Sequence, residues 1–190
     1  LARSNQNLLE LVNNLLQVYR FEAGKQRLNF SSVGLGSIVK NVARDLLPLA
    51  QEKGLHLNLE IGPILPIVMG DRLELQRVVT NLVSNAIKFT DAGSITLRLD
   101  HQPAPTSGPA APPYVILQVK DTGIGISVAD QPFLFERFRP GQHQRAGSGL
   151  GLHLSQYIVQ AHGGDIKVES EQNKGSCFTV RFPVKPQVPF

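Results

Sequence analysis

Residues 71–89 place the tightest constraint on what this chain can become. Leu75, Val78, Val79, Leu82, Val83 and Ala86 recur at helical spacing and form one continuous apolar face. Such a helix is stable only when another layer covers that face. The chain carries the cover. Residues 94–99, 114–120, 165–171 and 176–183 read as strands, and the last two are joined by a turn containing Asn173, Lys174 and Gly175. Residues 102–113, rich in Pro, Ala, Ser and Gly, read as a long hairpin loop. Two further helices are expected. One carries Ile38, Val42, Leu46, Leu47 and Leu49 and closes at Gly54, and the other spans about residues 150–161. Between them Leu55, Leu57, Leu59 and Ile61 alternate with His56, Asn58 and Glu60 as a half-buried strand, which Pro63 and Pro66 break. Residues 27–33 read as a short strand or a linker. The sum is an α+β sandwich: one mixed sheet with helices on one face.

Residues 1–23 form a separate feature. Leu8, Leu11, Leu15 and Val18 repeat at helical spacing, and Leu9, Val12, Leu16 and Tyr19 do so one step round. The resulting wide apolar face fits a terminal helix packed on its own domain, or a piece of a dimerising bundle. Gly24 would cap it. The chain opens at Leu1 without Met, which we read as the mark of an excised fragment.

Composition removes several function classes. At 42% hydrophobic and 18% charged residues, the chain is neither disordered nor fibrous. No apolar run approaches the roughly 18–20 residues that span a bilayer. A single cysteine, Cys177, excludes a disulfide framework and Cys-based zinc spacing. The net charge of +4 comes from scattered basic residues, which favours an anionic small ligand or a protein partner over nucleic acid. His56, His101, His143, His153 and His162 show no metal spacing and no partner, and read as structural or solvent-facing. Ser148 and Ser155 lack the context of a hydrolase nucleophile.

Four short segments carry chemistry. On the helix of residues 71–89, Asn81, Asn85 and Lys88 lie at i, i+4 and i+7, off the apolar face. Amide oxygens there can ligate a hard cation and the lysine can neutralise phosphate; the same pattern also describes a solvated face. Asp121-Thr-Gly123-Ile-Gly125-Ile126 follows a strand, where a carboxylate can accept from an exocyclic amine and glycines admit a flat ligand; an ordinary Asp-Gly turn reads the same way. Gly147-Ser148-Gly149-Leu150-Gly151-Leu152 enters a helix, offering backbone N–H groups to phosphate. It is not a dinucleotide fingerprint, and no P-loop occurs anywhere in the chain. Residues 133–141, Phe-Leu-Phe-Glu-Arg-Phe-Arg-Pro-Gly, with the polar stretch after them, fit a lid carrying Arg137, Arg139 and Arg145, or a structural Phe cluster.

In this order the segments resemble the boxes of sensor histidine kinases. Residues 81–90, Asn-Leu-Val-Ser-Asn-Ala-Ile-Lys-Phe-Thr, are similar to the N box, and residues 121–126 to the G1 box. Residues 135–138 resemble the F box, residues 147–152 the G2 box, and residues 175–180 the closing Gly-Ser/Thr-x-Phe strand. The resemblance covers about residues 1–183. It implies the Bergerat, or GHKL, fold, a two-layer sandwich with three helices on a mixed sheet and an ATP lid, preceded by an N-terminal helix. It also implies a division of the chain: residues 1–24 the end of a dimerisation hairpin, 25–34 a linker, 35–184 the catalytic domain and 185–190 a tail.

For the site, the resemblance implies Asn85 as magnesium ligand, Asn81 as support for metal and phosphates, and Lys88 as a phosphate contact. Phe89 would line the nucleotide pocket, Asp121 would bond the adenine amine, and Gly123, Gly125 and Ile126 would let it approach. Gly147, Ser148, Gly149, Leu150, Gly151 and Leu152 would face the phosphates. Phe138 and Arg139 would belong to the lid and Thr179 to the nucleotide-contacting set. The phosphate-contacting lid arginine is left open among Arg137, Arg139 and Arg145, because Arg139-Pro140-Gly141 departs from the family's usual Tyr-Arg. The related gyrase-type ATPases carry a glutamate where Asn81 stands, so ATP is expected to be held for transfer. The implied cofactors are ATP and Mg2+. The implied partners are a dimerisation domain bearing the phosphoacceptor histidine, expected upstream of Leu1, and a response-regulator receiver domain. The implied setting is the cytoplasm, within a homodimeric protein, while half a hairpin is compatible with a monomeric fragment. Two other readings stand beside this one: a degenerate nucleotide-binding module used for docking, and a GHKL ATPase.

Overall fold

A computed structural model describes Val12, Leu15, Leu16, Val18, Tyr19 and residues 27–104, 112–137 and 149–184. The proposed boundary at Gly24 and the tail of residues 185–190 lie outside the described residues. Ten elements follow in order: β1 (Ser31–Val33), α1 (Leu35–Glu52), β2 (His56–Ile61), β3 (Val68–Gly70), α2 (Arg72–Phe89), β4 (Ser94–Gln102), β5 (Tyr114–Asp121), α3 (Gly151–Ala161), β6 (Asp165–Glu171) and β7 (Gly175–Pro183). A short 3-10 turn, Gln131–Phe133, precedes the lid segment.

Five strands form one sheet in the order β2-β4-β5-β7-β6. β2 runs parallel to β4, with His56 opposite Ser94, and every other neighbour is antiparallel. The parallel pair follows from the connection: a return in the same direction needs a crossover, and α2 supplies it. Alternation then sorts the side chains. Ile95, Leu97 and Leu99 of β4, Val115, Leu117 and Val119 of β5, and Phe178, Val180 and Phe182 of β7 are buried on the helical side. Leu75, Val78, Val79, Leu82, Val83 and Ala86 of α2 are buried against them, as the helical period predicts. Burying each large aliphatic side chain contributes about 1.5–3 kcal/mol. α2 packs against both α1 and α3.

Three details differ from the sequence reading. Leu47 and Leu49 are exposed, and α1 instead buries Leu35, Ile38, Val39, Val42, Ala43 and Ala50. At 100° per residue Leu47 falls on the side of α1 opposite Ile38, whereas Leu49 shares the rotation of Ile38 and Val42 and is exposed near the end of the helix, just after Pro48. A second small sheet pairs β1 with β3, Val33 opposite Val68, where only the first segment was anticipated as a short strand or a linker. Three-residue strands carry too little alternation to be read. In β2 only Leu55, just ahead of the strand, is fully buried and Leu59 is exposed, because β2 is an edge strand. Of the N-terminal helix, Val18 is buried while Val12, Leu15, Leu16 and Tyr19 are exposed.

The N-terminus of α2 is fastened from two directions. Asp71 caps it, its Oδ1 accepting from the N–H groups of Leu73 and Glu74, and its Oδ2 accepts from Asn29 N at 2.9 Å. His162, at the end of α3, accepts from Asp71 N through Nε2 at 2.9 Å and donates through Nδ1 to Ile158 O at 2.6 Å. That pattern requires a neutral ring. Phe30 and Phe182 pack on it, with ring centroids 5.0 and 6.3 Å away. Burial pushes the His162 pKa below the ordinary histidine value, against the bond to Ile158 and the charge of Asp71. Burial works against the Asp71 charge, but the three N–H donors and His162 outweigh it and hold that carboxyl below its usual range.

A base whose pKa is lowered by folding binds fewer protons in the native state, so its contribution to stability is lost as pH falls below the unfolded value of about 6.5. Thermal unfolding of the domain should therefore show a Tm that declines from pH 7.5 to 5.5. His162→Gln should lower stability at pH 7.5 by about 2 kcal/mol and flatten that decline. An unchanged pH slope in the variant would contradict the assignment.

Candidate nucleotide site

The sequence-predicted residues converge between α2, α3 and the loop after β5. α2 reaches the site because its far end is also held. Lys53 Nζ donates to the carbonyls of Ile87, Thr90 and Lys88 at 2.6, 2.9 and 3.2 Å, satisfying acceptors that a helix C-terminus leaves open. Thr90 Oγ1 adds a bond to Ala86 O at 2.7 Å. Ile124 N donates to Phe89 O at 3.2 Å, tying the glycine loop to the same helix end. Lys88 Nζ stands 5.3 Å from the centroid of the Phe89 ring.

Asp121 ends β5 and is 6% exposed, on the helical side of the sheet. Its Oδ1 accepts from Gly123 N at 2.8 Å and from Ser176 N at 3.3 Å. Its Oδ2 has no hydrogen-bond partner among the described residues, so one acceptor remains for a ligand. Burial raises the Asp121 pKa, and the N–H groups of Gly123 and Ser176 offset this only in part. The loop beyond is fixed from β6 and its turn: Ile126 N donates to Ser170 Oγ at 2.8 Å and Asn173 N to Ile124 O at 2.7 Å. Gly125 has φ +64°, and a Cβ there would collide with Glu171 O, so both conformation and space require glycine.

α3 closes the other side. Leu150, fully buried, stands at its N-cap with no side-chain cap, after Gly149. The first-turn N–H groups of Gly151 and Leu152 and the positive end of the helix dipole stand at this entry, the kind of place that favours an anion. A Cβ at Gly151 would overlap Asn81 Oδ1, so glycine lets α3 press directly on the amide line of α2. There Asn81 Nδ2 lies 2.8 Å from Ser155 Oγ, and Asn85 Nδ2 lies 3.5 Å from Asn81 Oδ1.

Asn81, Asn85, Lys88, Phe89, Asp121, Gly123, Gly125, Ile126, Gly149, Leu150, Gly151 and Leu152 thus belong to one neighbourhood. Thr179 does not. It faces the opposite side of the sheet, 3.4 Å from Gln118, because its parity in β7 is that of Cys177 and Arg181. The residue of β7 that shares a face with Asp121 is Ser176, which the sequence reading missed. The buried run Phe178, Val180, Phe182 carried that signal. Phe138, Arg139, Arg145, Gly147 and Ser148 lie outside the described residues.

Two histidines read as partnerless prove to have partners. Beyond His162, the ring of His153 on α3 has Nδ1 2.6 Å from Phe135 O, and Arg137 Nε donates to its Nε2 at 3.3 Å, which ties residues 135–137 to α3.

Among the described residues no three His, Cys, Asp or Glu side chains gather as metal ligands. The donor set suits magnesium nonetheless, since that ion keeps waters and phosphate oxygens and asks little of the protein. Asn85 keeps its amide oxygen without a hydrogen bond among the described residues, an oxygen donor of the type such an ion accepts.

A mixed sheet under three helices, with an amide line, a buried aspartate and an uncapped helix entry on one side, defines a nucleotide-binding domain of the GHKL type. The histidine kinase-, DNA gyrase B-, and HSP90-like ATPase family matches residues 70–186, and the chain belongs to that family. It is 38% identical over 183 residues to the signal transduction histidine-protein kinase BarA of Escherichia coli strain K12, covering 94% of this chain and 20% of BarA. It is 38% identical over 196 residues to hybrid signal transduction histidine kinase D of Dictyostelium discoideum, covering 98% of this chain and 12% of that protein. The chain thus spans about a fifth or less of these relatives. Among solved structures, full-length ShkA in complex with AMPPNP is similar at TM-score 0.80 and 30% identity, over 96% of this chain and 37% of that one. The catalytic domain of histidine kinase ThkA shares the fold at TM-score 0.70 and 24% identity, over 83% of this chain and 99% of that one.

Because folding raises the Asp121 pKa, its ionised form costs stability, and the native state gains stability as pH falls through the folded pKa. Asp121→Asn keeps an acceptor for Gly123 and Ser176 and removes the charge. It should raise the Tm of the ligand-free domain at pH 7.5, read by calorimetry, and a lower Tm would refute this account.

Proposed function

We propose that this domain binds Mg2+-ATP and donates its γ-phosphoryl group to a histidine imidazole on a helical hairpin outside the described residues, for relay to a receiver domain. The observation that carries the reading is the amide at Asn81, wedged between Ser155 and Asn85 at the entry to α3. An amide has no proton-accepting capacity to activate water. A domain that holds the nucleotide without activating water suits transfer to a separate acceptor.

The chain's own residues divide the work. Asp121 Oδ2 accepts from the adenine amine, and its burial keeps water from competing. Asn85 Oδ1 ligates the cation, Asn81 supports it, and Lys88 neutralises phosphate oxygens. Phe89 lines the base pocket. The first-turn N–H groups of Gly151 and Leu152 receive phosphate oxygens at the positive end of α3. Bound Mg2+ neutralises charge on the β- and γ-phosphates. Phosphoryl transfer needs mainly positioning and charge neutralisation, and the acceptor imidazole is its own nucleophile. Of the four described histidines, His56 and His101 lie in strands and His153 and His162 are engaged in α3, which supports an acceptor supplied from elsewhere; His143 lies outside the described residues.

The exposed helical residues Leu15, Leu16, Val12 and Tyr19 support a dimerisation hairpin as the first partner, within a homodimeric, cytoplasmic signalling protein. No described helix is long and apolar enough to cross a membrane.

Incubated with Mg2+-ATP, the domain should label a separately purified histidine-bearing hairpin from a related kinase and not itself, and Asn85→Ala should reduce that labelling by at least about 100-fold. Labelling of the isolated chain would contradict the reading, and undetectable ATP binding in a calorimetric titration would favour a docking module. Steady phosphate release should be near background in the wild type and should rise in Asn81→Glu, which installs a carboxylate base; rapid release by the wild type would identify an ATPase instead.

A further inference from the structure

Ser170 stands on β6 opposite Ser176 of β7. Its Oγ lies 2.8 Å from Ile126 N, 2.9 Å from Gly175 O and 3.0 Å from Ser176 Oγ. A hydroxyl has one proton and two lone pairs, so in isolation it donates and accepts alike. Here the partners assign the roles. A carbonyl only accepts and a backbone N–H only donates, so the Ser170 proton goes to Gly175 O and one lone pair takes Ile126 N–H. Ser176 Oγ meets the lone pair that is left, and is the donor there. The hydroxyl is saturated.

All three partners border Asp121. Gly175 lies against its backbone, since a Cβ there would collide with Asp121 O. The register that pairs Lys120 with Cys177 sets Asp121 beside Ser176, whose N–H reaches Asp121 Oδ1 at 3.3 Å. Ile126 ends the loop segment that contains Gly123, the other donor to that oxygen, at 2.8 Å. One hydroxyl thus joins both segments that anchor the buried carboxylate, while Asp121 Oδ2 keeps no hydrogen bond among the described residues.

We propose that Ser170 is a positioning residue for base selectivity: it fixes the plane of the Asp121 carboxylate, so that the second oxygen is aligned to prefer a 6-amino purine over a 6-oxo purine. The proposal rests on the reading of this site as one for ATP. Without the hydroxyl, the glycine loop and Ser176 lose their common tie and the carboxylate turns. An amine then loses an aligned acceptor, whereas a 6-carbonyl, which has no proton to give that acceptor, loses nothing. The phosphate contacts at α3 are not involved.

The test is calorimetric titration of Mg2+-ATP and Mg2+-ITP, which carries a carbonyl where ATP carries the amine, into the domain. The wild type should prefer ATP by at least about tenfold. Ser170→Ala should weaken ATP binding by about tenfold, the effect of one hydrogen bond, and leave ITP within about twofold. This variant should fold, because Gln131 Nε2 still bridges Ser170 O and Ile126 O, at 2.9 and 3.1 Å. Ser170→Thr, which retains the hydroxyl, should keep the preference, and its loss there would count against the hydroxyl. If the wild type binds ATP and ITP alike, the reading of Asp121 as the base acceptor fails. If the wild type discriminates and Ser170→Ala weakens both nucleotides equally, or neither, the role of Ser170 alone fails.

Discussion

The molecule depends on a single helix clamped at both ends. At the N-terminus of α2, Asp71 is bonded to Asn29 and to the His162 ring, which brings the first linker and the end of α3 to one point. At the C-terminus, Lys53 gathers three carbonyls that would otherwise face solvent. These two clamps fix the rotation of α2 about its axis. A helix offers only 100° per residue, so fixing one face fixes all of them. Leu75 to Ala86 then meet the sheet, while Asn81 and Asn85 emerge along α3 and Lys88 near the glycine loop. Core and site are two readings of one rotational setting.

That economy explains why so much was legible in the sequence. The apolar positions of α2 and the strand alternation are direct consequences of side-chain periodicity, and both hold in the fold. The amide, aspartate-glycine and glycine-helix segments, separate in sequence, meet along α2. What escaped was pairwise. Nothing in local spacing says that Lys53 caps a helix ending more than thirty residues later, or that His162 accepts from Asp71. Ser155, set aside as a nucleophile without context, is a neighbour of Asn81 only once α3 lies against α2. Strand parity, readable from Phe178 and Val180, sets Thr179 on the face away from the helices and Ser176 on the face of Asp121.

Parts of the site work against the fold's own stability. A buried carboxylate with one oxygen unpaired among the described residues, and a helix entry without a side-chain cap, are each costly in the absence of a ligand. The surrounding structure tolerates them because the clamps on α2 and the loop bonds to Ser170 and Asn173 leave these groups nowhere to relax. Preorganised donors and acceptors of this kind need no rearrangement when a charged ligand arrives.

The position of β7 has a consequence for biosynthesis. It is the last strand among the described residues but lies inside the sheet, between β5 and β6. Until it is made, β5 presents an open edge and Asp121 lacks the Ser176 N–H. A chain growing from its N-terminus can therefore assemble the α2 clamps and the parallel pair early, yet cannot complete the corner around Asp121 until the β6–β7 hairpin adds to the β5 edge. Partially synthesised chains are in this sense blind to nucleotide, and their exposed β5 edge is the place where they are most open to pairing with one another.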